Sequence, residues 1–251
     1  MNRIRYYLLK TGLLACLFWI FYSSVLFAHP VLVVNNANAP PYTTRQNNGF
    51  LDIVVGEALR RAGYTLQLVQ QPAERGLLNA NSGIIDGDMT RIKGLDKLYP
   101  NLVRVPEKLL DWDFTAFSKA SFPMKNWQTI YDNPVSLVKG WKIYEKKLEG
   151  ARYVTIADDA KQMFRLLLLG RVDSVLYERW QGLALIKQLG LAQKDFNTLI
   201  LEKRPMFFYL NKRYSDLVDK IAVKLRELKS DGFYDKAYKK TLTLYNTERS
   251  Q

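Results

Sequence analysis

The stretch LLLLGRVDSVLYE, residues 166–178, contains the pattern that decides the fold: the end of a helix, a glycine and a buried strand. An apolar helix predicted from about Met163 to Leu169 leads through the motif G-x-x-D into the strand-like run Ser174–Leu176. The first half of the chain repeats this order in NANSGIIDGDMTR, residues 79–91. A helix that ends at glycine before a buried strand is typical of alternating α/β structure. The repeat therefore predicts two similar lobes.

The segment before residue 79 predicts the start of the first lobe. Val31–Val34 is a β-branched run, and apolar residues between Leu51 and Ala62 recur at helical spacing. Gly63 stands where a helix cap is expected, and Thr65–Val69 predicts a second strand. This strand–helix–strand order indicates a largely parallel sheet.

Short extended segments predict where the chain passes between the lobes. They are Leu102–Val105, Phe114–Phe117, Thr198–Leu201 and Met206–Leu210. The second segment leaves the first lobe and the later pair returns to it, which gives the two crossings that a hinge needs. We therefore expect one discontinuous lobe, residues 29–117 plus 206–251, and a second lobe, residues 118–205.

The N-terminus predicts export. Arg3, Arg5 and Lys10 precede the apolar run Leu13–Ala28. This is the layout of a secretory signal peptide over residues 1–28, cleaved after the last alanine. The alternative is an uncleaved membrane anchor, because the run approaches the length that spans a bilayer. Either segment would direct the folded part to the periplasm.

Composition excludes several kinds of site from the mature chain. The only cysteine, Cys16, lies in the predicted signal, and the only histidine, His29, would start the mature chain. Disulfides, thiolate nucleophiles, histidine triads and histidine-rich metal sites are therefore not expected, and we predict no cofactor. Without the signal's three basic residues, the formal charge of +13 falls to +10. The basic residues are dispersed and no nucleic-acid motif occurs, so a solvated cationic surface is predicted.

Five motifs occur in the order that they have in bacterial family 3 extracellular solute-binding proteins, the periplasmic components typified by amino-acid ABC importers. They are Ala39–Tyr42, Gly49–Ile53, Asn79–Asp86, Gly170–Val175 and Leu225–Tyr238. The chain resembles this family over nearly all of its predicted mature length. The resemblance implies an α/β, two-lobed periplasmic binding protein-like fold of type II with a two-stranded hinge. It also implies a small-molecule ligand, a monomer, and an ABC permease or a membrane sensor as partner.

Two positions depart from the family pattern. Amino-acid binders of this family have a longer segment between the acid of the first lobe and the arginine that grips the ligand carboxylate, whereas Arg91 follows Asp86 closely. Where the second lobe of many members has Gly-Thr at a helix start, this chain has Gly140-Trp141. The resemblance thus implies the fold more strongly than the ligand.

Candidate ligand contacts follow from the rule that ligands bind at the carboxyl ends of strands in such folds. Arg91 and the preceding Thr90 follow a predicted strand, and a guanidinium can hold a carboxylate by two parallel hydrogen bonds. Arg75 begins a helix just after a strand and is a second candidate. The alternatives are a surface arginine for Arg91 and a structural ion pair for Arg75.

Aromatic and acidic candidates complete the predicted site. Tyr42, Trp112 and Trp141 either form an aromatic wall of the cleft or pack the cores of the lobes. Glu178 stands where, by the resemblance, an acid binds the amino group of the ligand. Its alternative is a surface pair with Arg179.

The leading functional hypothesis is a periplasmic binding protein that closes on a small polar ligand, an amino acid or related carboxylate, and delivers it to a membrane transporter. The first alternative is an enzyme on the same fold. The resemblance includes periplasmic dehydratases that act on cyclic precursors of aromatic amino acids, and here Glu178 or another carboxylate of the cleft would be the general acid or base while Arg91 holds the substrate. The second alternative is an envelope sensor or adaptor domain. We expect binding rather than catalysis, because no convincing pair of catalytic groups is visible.

Overall fold

A computed structural model describes residues 29–245, so the predicted signal peptide and the last six residues lie outside the described part. The strands are β1 (Val31–Asn35), β2 (Thr65–Val69), β3 (Gly87–Arg91), β4 (Leu102–Lys119), β5 (Val135–Val138), β6 (Val154–Ala157), β7 (Ser174–Glu178) and β8 (Phe196–Asn211). The helices are α1 (Phe50–Ala62), α2 (Ala73–Ser82), α3 (Trp127–Tyr131), α4 (Lys142–Lys147), α5 (Ala160–Leu168), α6 (Arg179–Gln188), α7 (Ser215–Ser230) and α8 (Phe233–Thr241). Single 3₁₀ turns occur at Leu95–Lys97, Gln193–Asp195, Lys212–Tyr214 and Thr243–Tyr245.

The described strands form one sheet in the order β2-β1-β3-β8-β4-β7-β5-β6. In the first half β1 pairs in parallel with β2 and β3, and in the second half β5 pairs in parallel with β6 and β7. The long strands β4 and β8 run antiparallel to each other between these halves and belong to both. The predicted parallel sheets and the two crossings are therefore confirmed.

The four extended segments predicted for the crossings are joined into two long strands. Leu102–Val105 and Phe114–Phe117 are two parts of the single strand β4, and β8 likewise unites the two later segments. The middle of β8, Lys203–Pro205, is exposed, and the pairing register shifts between Arg104 and Leu110. Apolar alternation is interrupted at the exposed centre of β8 and at the shifted register of β4, so the sequence shows only the strand ends.

Helix ends are set by local capping. The backbone N–H groups of Thr44 and Gly49 donate to the Asp52 carboxylate at the start of α1, and Gly63 ends that helix with a left-handed φ of 87°. The N-cap of α5 is Asp159, whose side chain accepts from the Gln162 N–H. The preceding residue, Asp158, is not the cap.

Candidate functional site

A cavity of about 430 Å³ lies between the two halves of the sheet. The first half contributes the loop after β1, the start of α2 and the end of β3 through Asn38, Leu77 and Thr90, among others. The second half contributes the segment 140–143 at the start of α4. The crossing strands β4 and β8 supply the wall between these parts. Such a cavity has the size and the mainly apolar lining of small-molecule sites.

Four of the seven predicted site residues line this cavity: Thr90, Arg91, Trp112 and Trp141. Tyr42 and Glu178 are fully buried and hydrogen bond to each other instead of lining it. Arg75 is exposed on α2 and is not among the lining residues. The structure therefore brings four candidates to one site, while their role in binding stays a prediction.

Arg91 is held by a buried carboxylate. Its Nε lies 2.7 Å from Asp88 Oδ1, and its Nη2 donates to Asp88 Oδ2 at 2.9 Å and to the Ala73 carbonyl at 3.0 Å. Asn35 donates to the same Oδ2 atom. Burial raises the pKa of Asp88, and the Arg91 cation opposes that rise. The guanidinium is therefore fixed in position and largely neutralised by its partner.

Helix α2 approaches this ion pair closely. A Cβ on Gly76 would overlap the Asn35 amide and would lie 2.7 Å from Asp88 Oδ2. Only glycine at this position lets the helix pass next to the buried carboxylate. The close contact places Ala73 within reach of Arg91.

Thr90 is strained and is held by one side-chain hydrogen bond. Its φ of 55° lies in the left-handed region, which is unfavourable for a β-branched residue. Its hydroxyl donates to Asn38 Oδ1 at 3.0 Å, and the Asn38 amide donates to Asn36. Strain of this kind costs on the order of 1–3 kcal/mol and is concentrated at functional sites. This makes the end of β3 the most unusual backbone on the cavity wall.

The predicted aromatic residues form a nearly parallel column of rings. Tyr42 stacks on Trp112 with ring centroids 6.1 Å apart, and Trp112 stacks on Trp141 at 5.5 Å. Tyr144 continues the column at 5.6 Å from Trp141. The interplanar angles are 18°, 17° and 13°. The column joins the first half, through the loop after β1, to the second half at α4.

Glu178 caps helix α6 without a cation in direct contact. Tyr42 Oη donates to its Oε1 at 2.9 Å, and the Gln181 N–H donates to its Oε2 at 3.0 Å. Burial raises the pKa of Glu178 to about 7, although these hydrogen bonds oppose the rise and nearby Asp113 adds to it. Arg179 contacts Asp113 at 3.9 Å and not this carboxylate. The predicted surface pair of Glu178 and Arg179 is therefore not formed.

Several lining residues were not predicted from the sequence. Ala73 and Leu77 face the cavity together because they are four residues apart on α2, which their helical spacing would have shown. Ile143 and Met206 line it from α4 and β8. Their sequence contexts carry no signal that separates them from ordinary core residues.

The described residues, 29–245, contain neither a candidate metal site nor a candidate membrane-spanning helix. No group of three or more His, Cys, Asp or Glu side chains in this part is arranged to hold a metal ion. Over the same residues, none of the helices combines the length and the apolar character that a bilayer crossing requires.

Comparisons with known proteins support the fold. No family model matches the chain. A protein of Shewanella oneidensis described as uncharacterized is 24% identical over 193 residues, which cover 74% of this chain and 73% of that protein.

Solved structures give closer matches in shape than in sequence. A mutant of ArgBP from T. maritima has a TM-score of 0.69 at 22% identity, covering 84% of this chain and 94% of that one. A histidine kinase sensor domain with similarity to periplasmic binding proteins has a TM-score of 0.72 at 15% identity, covering 85% and 96%. A substrate-binding protein of an ABC uptake transporter from Streptococcus pneumoniae, with bound histidine, has a TM-score of 0.70 at 14% identity, covering 84% and 91%. The predicted two-lobed, periplasmic binding protein-like fold is thereby confirmed.

Proposed function

We propose that this chain is an exported solute-binding protein that closes on a small ligand, an amino acid or a related carboxylate, in the cavity between its halves. The observation that carries this proposal is the composition of the wall. Thr90 and Arg91 come from the first half, Trp141 comes from the second half, and Trp112 lies on a strand that belongs to both. A ligand that contacts all of these residues stabilises one arrangement of the halves, which is how binding drives hinge closure.

We further propose that the lobes are residues 29–117 with 206–251, and residues 118–205, and that the hinge is formed by β4 and β8. A monomer in the periplasm, released from its predicted signal peptide, would present its closed form to a membrane partner. An ABC permease and a sensor protein are both consistent with the structural relatives, which include a transporter component and a kinase sensor domain.

Binding is favoured over the dehydratase alternative by the position of Glu178. That alternative needs a carboxylate that reaches the substrate, but Glu178 is fully buried, caps α6 and does not line the cavity. The carboxylate beside the substrate-holding candidate, Asp88, is likewise fully buried and paired with Arg91. Neither of these two acids is therefore placed to transfer a proton to a ligand in the cavity, and the carboxylate in the lining, Glu74, is exposed at the start of α2.

A thermal-shift screen against amino acids, organic acids and aromatic acids tests the proposal. A compound present at about 100 times its dissociation constant adds roughly 2.7 kcal/mol of stability, which raises the melting temperature measurably. The variant Ile143→Glu places a charge in the cavity and should abolish the shift.

The matched control is Ile156→Glu, which makes the same substitution at a side chain that is 58% exposed on β6, outside the cavity. We expect this control to keep the full shift. If no compound in the three classes changes the melting temperature of the unmodified protein, the proposed function is wrong.

A further inference from the structure

The cavity wall is mainly apolar and has few charged side chains. Most of its side chains are apolar, and its charged members are Glu74, Arg91 and Lys142. The Glu74 side chain is exposed at the start of α2, and Lys142 is exposed and paired with Glu145 at 3.1 Å. Arg91 is therefore the charged group that lies against the interior of the cavity, with a side chain that is only 14% exposed.

The two tryptophans of the cavity wall are stacked on other rings. Both rings belong to the column in which Trp112 stacks with Tyr42 and Trp141, and Trp141 stacks with Trp112 and Tyr144. Their faces are therefore covered by other rings. The face of an aromatic ring attracts cations, whereas its edge is electropositive and favours acceptors. Contact at the edges of these rings thus favours an acceptor or an anion over an ammonium group.

Two donors of the wall are left without a hydrogen-bond acceptor. Arg91 employs Nε and Nη2 in its contacts with Asp88 and Ala73, and its Nη1 makes no hydrogen bond to any residue in the described range 29–245. Trp112 lines the cavity, and its indole Nε1 is buried without a partner among the same residues. A buried donor without an acceptor is unfavourable, so a ligand that supplies acceptors gains affinity at this place.

The two fully buried carboxylates beside the cavity are occupied by protein groups. Tyr42 donates to Glu178 in the position where the resemblance implied the amino group of an amino acid. Asp88 is occupied by Arg91 and Asn35. The carboxylate in the lining, Glu74, is exposed at the start of α2. An ammonium group in the interior of the cavity would be desolvated without a charged partner, which is strongly unfavourable.

We infer that the cavity selects an aromatic carboxylate that carries no amino group. The ring fills the apolar space and the carboxylate accepts from Arg91 and Trp112. This inference rests on the proposed function and narrows its ligand class. It separates the chain from binding proteins that recognise both charged groups of an amino acid.

Calorimetric titration with three compounds that share a phenylethyl unit tests the inference: 3-phenylpropanoate, phenylalanine and phenethylamine. Phenylalanine adds an ammonium to 3-phenylpropanoate, and phenethylamine keeps the ammonium but lacks the carboxylate. We expect 3-phenylpropanoate to bind at least about tenfold more tightly than either amine, because only it avoids burying an unpaired ammonium. A smaller preference, or tighter binding of phenylalanine, overturns the inferred ligand class.

A pair of conservative variants tests the donor. Trp112→Phe keeps a ring in the column but removes the Nε1–H, and we expect it to weaken 3-phenylpropanoate binding by about fivefold. The control, Trp127→Phe, changes a tryptophan on α3 outside the cavity lining and should leave the affinity unchanged. Equal affinities in the two variants contradict the assigned contact.

The failure of this inference is distinct from the failure of the proposed function. If an amino acid or a non-aromatic acid binds in the thermal-shift screen while no aromatic carboxylate without an amino group binds, only the ligand class is wrong. If nothing in either experiment binds, both proposals are wrong.

Discussion

Asp88 and Glu178 are both fully buried carboxylates, and each lies at or near the end of a strand next to the cleft. Asp88, in the first half, is paired with the Arg91 cation and the Asn35 amide. Glu178, in the second half, accepts from Tyr42 and the backbone of Gln181, which are neutral donors. The desolvation cost of burial is therefore offset by an ion pair at Asp88 and by neutral hydrogen-bond donors at Glu178.

The difference teaches what each region does. The ion pair at Asp88 fixes a cation in the cavity wall and keeps its charge balanced. The hydrogen bond at Glu178 links the loop after β1 to the start of α6, and so connects the two halves. Because the pKa of Glu178 is raised to about 7, this connection is the one that responds to pH near neutrality.

Removing the cation of the first pair should have the largest effect. Arg91→Met leaves the Asp88 carboxylate buried without charge compensation, which should lower the free energy of unfolding by about 3–5 kcal/mol. Urea denaturation at pH 7 measures this change. The double variant Asp88→Asn/Arg91→Met should recover part of the loss, and an equal or greater loss would show that the pair is not the cause.

In the second region, Glu178 should make the free energy of unfolding depend on pH. The pKa of Glu178 is about 7 in the folded protein and its ordinary value is 4.5, so the folded state binds more protons between these values. Stability should therefore fall as pH rises through this window, by up to about 3 kcal/mol from this group.

Denaturation curves at pH 5 and pH 7.5 measure that slope in the unmodified protein and in Glu178→Gln. The variant cannot ionise, so we expect the difference between the two pH values to shrink by the contribution of Glu178. An unchanged slope in the variant would mean that Glu178 does not titrate in this range.

Tyr42→Phe should have an intermediate effect that depends on the charge of its partner. The variant removes the hydroxyl that donates to Glu178, which should cost about 2 kcal/mol at pH 8, where the acceptor is ionised, and less at pH 5. The control Tyr177→Phe removes a longer bond of 3.3 Å to Gln181 and should cost less at both pH values. An equal cost at pH 5 and pH 8 would argue against the coupling of Tyr42 to the charge of Glu178.

The helix cap Asp159 gives a measure of how much capping alone contributes to stability. Asp159 caps α5 from an exposed position, so Asp159→Ala should cost about 1 kcal/mol. Asp158→Ala, one residue earlier, should cost less because that side chain is not the cap. Thermal denaturation of both variants distinguishes them, and a greater loss in Asp158→Ala would reverse the assignment.

Most elements could be predicted from the sequence because their periodicity is local. The strand Thr65–Val69 has the predicted bounds, and the helix from Phe50 to Ala62 ends at the predicted glycine. The pair of Asp88 and Arg91 was not predicted, although the two residues are close in sequence. Side chains three apart in a regular strand point to opposite faces, and the left-handed Thr90 with the register shift in β3 brings them together.

The contact between Tyr42 and Glu178 joins residues 136 positions apart and depends on how the halves meet. No local pattern encodes this contact, which is why both side chains were predicted to contact the ligand instead. The aromatic residues were predicted to form either a wall or a core, and the structure shows that their column does both, because Trp112 and Trp141 pack on other rings and also line the cavity.

The claim that the ligand binds in this cavity is tested most directly by a crystal structure, from crystals grown with the compound that gives the largest thermal shift. We expect electron density for that compound between Thr90 and Arg91 on one side and Trp141 on the other. Density for the compound at another place, with this cavity occupied only by solvent, would contradict the assignment of the ligand site.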